Sequence, residues 1–162
     1  MEFERQVEVS GGKIGMKAPE GFAKPSTPPF PATATPSSGL RALVADDHLD
    51  SADSLAAFLN YAGVEAQIAS NGEEALALAT QWKPHICILD ILMPKIDGRE
   101  VARRIREQSW EARPLLIAVT GWDKVVNEKN ESSSAFDHWL TKPVEPVKLA
   151  DIIQRYFALI PQ

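Results

Sequence analysis

ICILDILMPKIDG, residues 86–98, carries four consecutive apolar side chains that end on the carboxylate of Asp90 and then enter a loop closed by Gly98. A strand buried on both faces reads as such an unbroken apolar run, whereas a half-exposed strand alternates. Three other segments share the form: RALVA ends on Asp46-Asp47, LLIAV on Thr120 and WLT on Lys142. In a parallel sheet, ligands bind beyond the carboxyl ends of the strands, so the four endings are expected to converge. Three carboxylates, a hydroxyl and an ammonium gathered there would make a Mg²⁺ site with a nucleophilic carboxylate. The hydroxyl would bond a phosphate oxygen and the ammonium would balance phosphoryl charge.

Outward from this stretch, short apolar runs alternate with segments of helical periodicity from residue 41 onward, the pattern of a βα repeat. Five units are expected, with strands at 42–45, 66–69, 86–89, 115–119 and 139–140. Ala52, Leu55, Ala56 and Leu59 form one helical stripe, and Val101, Ile105 and Gln108 an incomplete second. Leu149, Ile152, Ile153, Tyr156, Phe157 and Ile160 form a strong closing stripe. The segment 124–134, KVVNEKNESSS, is the weakest helix and is expected to be the most mobile, because Asn and Ser compete for backbone hydrogen bonds. The fold class is α/β: a doubly wound, five-stranded parallel sheet with five helices on its two faces.

The 162 residues, 44% apolar, suffice for one core. Residues 1–39 hold half of the twelve prolines and five of the nine glycines, and read as a disordered tail or linker ahead of a domain at 40–162. Charges balance up to Leu40, so the net charge of −5 belongs to the domain. An acidic domain without a basic stripe argues against nucleic-acid binding, and Arg103, Arg104 and Arg106 read as a solvated helix face beside Glu100 and Glu107. Cys87 lies inside an apolar run, which fits a buried thiol in a reducing compartment. No apolar stretch approaches the ~20 residues of a membrane span, so a cytoplasmic protein without membrane contact is expected.

A lone buried carboxylate costs several kcal/mol unless paired, so Asp90 calls for partners. Asp46 and Asp47 add like charge, and a hard divalent cation is the natural remedy. Either could instead cap the next helix. Lys142 precedes Pro143 and so is extended, placed for a resting ion pair with Asp90 and for a phosphoryl oxygen later. Thr120 stands out only because it ends its strand next to Asp90. His48, His85 and His138 read as structural or solvent-exposed.

DDH at Asp46, LDILMPKIDG at 89–98, VTGW from Val119 and LTKPV from Leu140 together resemble the receiver domain of two-component response regulators, over nearly all of residues 41–160. The wording of AFDHWLTKPVEP looks most like receivers at the C-termini of hybrid histidine kinases. By analogy with flavodoxin-like sheets, the strand order is taken as 2-1-3-4-5. The resemblance implies that Asp90 is the phosphoacceptor of a histidine kinase or histidine phosphotransfer protein. It implies that Asp46, Asp47, Asp90 and the Leu92 backbone carbonyl hold Mg²⁺, and that Thr120 and Lys142 bind the phosphoryl group. The Lys142-Pro143 bond is commonly cis in the family.

Thr120 and Trp139 would form the switch, although the family usually carries Tyr or Phe where this chain has the bulkier Trp139. Ala135 stands where Gly often ends the fourth helix. Leu92 and Trp122 would rim the site, and two apolar side chains there imply slow loss of the phosphoryl group to water. The chain would be a phosphoacceptor signalling domain that assists its own phosphorylation and dephosphorylation, not an enzyme acting on other substrates. With Gln162 directly after the closing helix, output is expected through contact with a downstream protein or onward phosphotransfer, as monomer or phosphorylation-dependent homodimer. Two alternatives are a phosphorylation-independent pseudo-receiver and a Mg²⁺-dependent aspartyl-phosphate hydrolase. The hydrolase needs a second Asp where Leu92 stands.

Overall fold

The computed structural model describes residues 39–121 and 135–159. The apolar runs form five parallel strands: β1 (Arg41–Ala45), β2 (Glu65–Ala69), β3 (Ile86–Asp90), β4 (Leu115–Thr120) and β5 (His138–Thr141). Their order is β2-β1-β3-β4-β5, the order taken by analogy with flavodoxin-like sheets. Four helices are seen among the described residues: α1 (Leu49–Tyr61), α2 (Gly72–Trp82), α3 (Gly98–Glu107) and α4 (Pro146–Leu159). The helix expected over 124–134, the rim residue Trp122, Ile160 of the closing stripe and the tail at 1–38 lie outside the described residues.

Strand parity builds two cores. Ala42 and Val44 of β1, Ile86 and Ile88 of β3, and Leu115, Ile117 and Val119 of β4 pack with Ala52, Phe58 and Leu59 of α1 and with Leu149 and Ile153 of α4. The alternate residues Leu43, Ala45, Cys87, Leu89, Leu116 and Ala118 pack with Ala75 and Ala79 of α2 and with Val101, Ala102 and Ile105 of α3. Both faces of the sheet are therefore dry, which is why β3 and β4 read as unbroken apolar runs. Buried in β3, the Cys87 thiol is pushed up to about 12 by desolvation and is inert as a nucleophile. No helix among the described residues is long and apolar enough to cross a membrane.

Two expectations from periodicity need correction. Gln108 does not extend the α3 stripe; it is the C-cap, and its side chain bonds Thr80 Oγ1 and the Trp110 indole N–H instead. Arg103 and Arg104 do lie on a solvated face with Glu100, but Arg106 turns inward. Its guanidinium donates to the carbonyls of Ala135 and Pro114 and to Asp137 Oδ2, and Asp137 also accepts the Leu116 N–H. A planar fork of donors suits that three-way clamp, which ties α3 to the entry of β5.

The start of α2 shows how local chemistry sets an element boundary. Asn71 Oδ1 accepts the Glu74 N–H at 2.9 Å, and Glu74 reaches back to the Ser70 N–H and hydroxyl at 2.8 and 2.7 Å, a variant of the capping box. These hydrogen bonds from Ser70 hold the Glu74 carboxyl below its ordinary range. A depressed carboxyl adds stability above its unfolded-state value and loses it as pH falls through the folded-state value. Glu74→Gln is therefore expected to lower stability at neutral pH by roughly 0.5–1 kcal/mol, with the difference fading in acid; urea unfolding at the two pH values checks it.

Candidate functional site

β3 ends on Asp90, Asp46 and Lys142 directly follow β1 and β5, and the backbone ladder continues past each end far enough to fix its direction. The Asp46 N–H donates to the Ala69 carbonyl at 3.1 Å, Ile91 N–H to Val119 at 3.1 Å, and Lys142 N–H to Thr120 at 2.8 Å. The register pairs Asp90 with Val119 and Thr120 with Thr141. Thr120 thus emerges between the Asp90 and Lys142 ends, buried, with its hydroxyl donating weakly to the Gly121 carbonyl at 3.2 Å.

At the centre, Lys142 Nζ lies 2.8 Å from Asp90 Oδ2 and 3.1 Å from Asp46 Oδ2. Both aspartates are buried, at 5% and 7% relative exposure, and each is held at its other oxygen. Asp90 Oδ1 accepts the Leu92 N–H and Asp46 Oδ1 the His48 N–H, each two residues on in the chain. The resting ion pair read from the sequence is present and is shared by two carboxylates. Neither aspartate acts as a helix cap: α1 starts at an N-cap His48 that makes no side-chain capping bond.

Burial raises the Asp90 carboxyl above its usual value, with the nearby Asp46 charge adding to this, against the opposing pull of Lys142 and the Leu92 N–H. For Lys142, burial acts downward, but its hydrogen bonds to Asp90 and Asp46 raise it overall, so it stays charged at neutral pH. Asp47 points to solvent, and Asp46, Asp47 and His48 offer ligand atoms that all lie within 4.8 Å of one another. Asp90 is not in that group of ligand atoms; among the described residues its link to Asp46 is the shared Lys142 ammonium.

A cavity of about 570 Å³ opens from the site along α1, lined by Asp46, Asp90, Lys142, Ser54, Phe58 and Pro146. A larger depression of about 670 Å³ lies at the other end of the strands near Trp110 and Arg106, where Arg106 is already committed to its clamp. Leu92 stands exposed at 59% beside Asp90, and the Lys142-Pro143 bond is cis. Trp139 is half-buried, packed edge-on against Phe136 at 5.1 Å on the α2–α3 side of the sheet. His85 is structural, its Nδ1 accepting the Arg41 N–H, and His138 is exposed.

Gly98 is a residue whose need is invisible in the sequence. A Cβ there would sit 2.2 Å from the Asp90 carbonyl oxygen, so α3 starts in direct contact with the backbone that carries the carboxylate. Gly98→Ala is expected to lower stability by about 1–3 kcal/mol and displace the turn after β3, seen as a lower midpoint in urea and shifted amide resonances for Asp90 to Leu92.

The charge cluster makes a further pair of expectations. Lys142→Met leaves two buried carboxylates without their shared cation and should lower stability by about 2 kcal/mol, part of it regained when Mg²⁺ is added. Because folding raises the Asp90 pKa, its ionisation subtracts stability as pH rises from the unfolded-state to the folded-state value. Asp90→Asn removes that penalty and should melt higher than wild type at neutral pH, the gap closing in acid. Thermal unfolding with and without Mg²⁺ checks both.

Residues 42–154 match the family model of the response regulator receiver domain. An uncharacterized 14.6 kDa protein of Leptolyngbya boryana is 34% identical over 119 residues, covering 74% of this chain and 91% of that protein. The response regulator MprA of Mycolicibacterium vanbaalenii is 32% identical over 121 residues, 75% of this chain but 50% of the relative. The chain thus spans about half the length of that regulator.

Among solved structures, the response regulator TrrA of Thermotoga maritima, in complex with Mg²⁺ and BeF, superposes with a TM-score of 0.65 at 32% identity, covering 72% of this chain and 98% of that one. The Ssk1 receiver domain of Saccharomyces cerevisiae, solved with the histidine phosphotransfer protein Ypd1, shares the fold at TM-score 0.65 and 22% identity, covering 74% of this chain and 90% of that one. With its sheet order and its family match in agreement, the chain belongs to the response regulator receiver domain family.

Proposed function

We propose that this chain is the phosphoacceptor of a two-component phosphorelay, with Asp90 as the residue phosphorylated. The observation that carries this reading is the Asp46–Lys142–Asp90 bridge: a buried carboxylate at a strand end, activated by a neighbouring carboxylate and already in contact with the cation that its phosphate would need. In the reaction, an Asp90 carboxylate oxygen attacks the phosphorus of a phosphohistidine; the P–N bond breaks as the P–O bond forms, and the histidine leaves with its electron pair. The Leu92 N–H orients Asp90 by holding Oδ1.

Lys142 moves from the carboxylate to a phosphoryl oxygen, and the Thr120 hydroxyl donates to another, in place of its weak bond to Gly121. Asp46, Asp47, Asp90 and the Leu92 carbonyl would hold Mg²⁺, which neutralises charge on the transferring group. The phosphodonor is a histidine kinase or histidine phosphotransfer protein, the latter in keeping with the Ypd1 complex of the Ssk1 receiver. Residues 40–162 form the receiver, residues 1–39 tether it, and Thr120 and Trp139 relay the phosphorylated state to a surface that a downstream protein reads.

The test is intact mass after incubation with acetyl phosphate and Mg²⁺. One phosphoryl adduct is expected, absent in Asp90→Ala and without Mg²⁺; no adduct on a folded, Mg²⁺-binding protein favours the pseudo-receiver. An exposed apolar Leu92 at the rim restricts the approach of water, so the aspartyl phosphate should be long-lived and Leu92→Asn should shorten its lifetime severalfold. An unchanged decay rate removes that role from Leu92.

A further inference from the structure

Lys142, the cation of the site, follows a strand that packing alone holds weakly. β5 has four residues and lies at the edge of the sheet, paired with β4 alone among the described strands. Of its side chains only Leu140 is buried; Trp139 is half-buried, and His138 and Thr141 are exposed. An edge strand with so little committed to a core is weakly fixed in register, and each residue advances about 3.3 Å. A slip of that size would carry the ammonium out of reach of Asp90 Oδ2 at 2.8 Å and Asp46 Oδ2 at 3.1 Å. The entry of β5 supplies the missing hold. There Asp137 grips Leu116 of β4 at two points, its N–H donating to the Leu116 carbonyl at 2.8 Å and its Oδ2 accepting the Leu116 N–H at 2.9 Å.

Arg106 ties that entry to α3. Its guanidinium, only 17% exposed, donates to Asp137 Oδ2 at 2.7 Å, to the Ala135 carbonyl at 2.9 Å and to the Pro114 carbonyl at 2.7 Å. The other end of α3 bears on the strand of Asp90: the Gly98 N–H donates to the Ile91 carbonyl at 3.0 Å, and the helix starts against the Asp90 carbonyl. From Gly98 to Arg106 the helix rises about 12 Å, a length that cannot change without breaking its hydrogen bonds. One rigid rod therefore references the Asp90 turn and the β5 entry to each other. Extended chain from Asp137 carries that reference back along the sheet to Lys142, whose N–H donates to the Thr120 carbonyl at 2.8 Å. We infer that Arg106 is a positioning residue for phosphoryl transfer: by clamping the β5 entry to α3, it sets the Lys142 ammonium against Asp90. The inference rests on Asp90 as phosphoacceptor and adds a residue that touches neither the carboxylate nor the phosphoryl group.

Two readouts on the full chain test it. One is the rate of aspartyl phosphate formation against acetyl phosphate concentration with Mg²⁺; the other is amide hydrogen exchange at Lys142 relative to Ile91, whose N–H groups close the ends of the β4–β5 and β3–β4 ladders. A lysine at 106 keeps the charge but lacks the fork of donors, so Arg106→Lys and Arg106→Gln are both expected to lose the clamp. The saturating rate should fall about tenfold with the half-saturating concentration within about twofold, and Lys142 exchange should quicken about tenfold while Ile91 changes less than about twofold. Should Arg106→Gln not fold, Arg106→Lys carries the test. Val64→Ala, which weakens the core at the opposite edge of the sheet, and Arg103→Gln, whose partners are exposed Glu100 and Glu107, should leave both readouts at wild-type values. Arg106 variants that keep either readout unchanged, whatever their stability, make the clamp structural only and overturn the inference. The same effect from Val64→Ala overturns it too, because general loosening would then suffice. If wild type takes up no phosphoryl group, the proposed function fails, and the exchange ratio alone decides whether Arg106 holds the Lys142 end of β5.

Discussion

One ammonium group shared by two carboxylates is the interaction on which the rest of this molecule depends. Lys142 Nζ joins the ends of β1 and β5 to the end of β3, and those strands come together only because the chain returns through helices on alternate faces of the sheet. The clustering of like charge is unfavourable in isolation, since burial pushes Asp90 toward its neutral form. Two dry cores hold the strand ends in place regardless, and the lysine makes the arrangement tolerable. A site built this way is under electrostatic tension in its resting state, which is the condition for responding strongly when a charged group is added or a cation arrives.

Rigidity around the site is unevenly spread. The backbone beneath Asp90 is fixed by the ladder to β4 and by Gly98, whose missing side chain lets α3 begin against the Asp90 carbonyl. Gly72 makes an equivalent close approach, where a Cβ would meet the Ile96 carbonyl of the same β3–α3 loop at 1.8 Å. Two helices thus press on the loop that follows the carboxylate. By contrast, the Thr120 hydroxyl has only a weak local bond and Leu92 faces solvent. The end of β4 and the loop surface are therefore held by fewer contacts around Asp90 than β3 is.

Much of this was legible in the sequence, for a physical reason: strands buried on both faces must be apolar throughout, so the first polar residue after each run marks where it leaves the core. That rule located Asp46, Asp90, Thr120 and Lys142 at the strand ends, and the order of the strands followed by analogy. Pairwise chemistry across the fold was less legible. Arg106 and Arg103 look alike on a helical wheel, yet one clamps three oxygens around Pro114 and Asp137 while the other stays in solvent. Gln108 has the spacing of a core residue but ends its helix. His48 carried no periodic signal, because its position depends on a single backbone bond to Asp46.

Cys87 shows a last consequence of the double-sided core. It is the chain's single cysteine, set in the middle of the central strand with neither face open, and its thiolate is suppressed by desolvation. Oxidants and alkylating reagents can reach it only when the sheet comes apart. Modification of this sulfur would therefore report that the sheet had opened, so the residue can serve as a chemical record of lost structure.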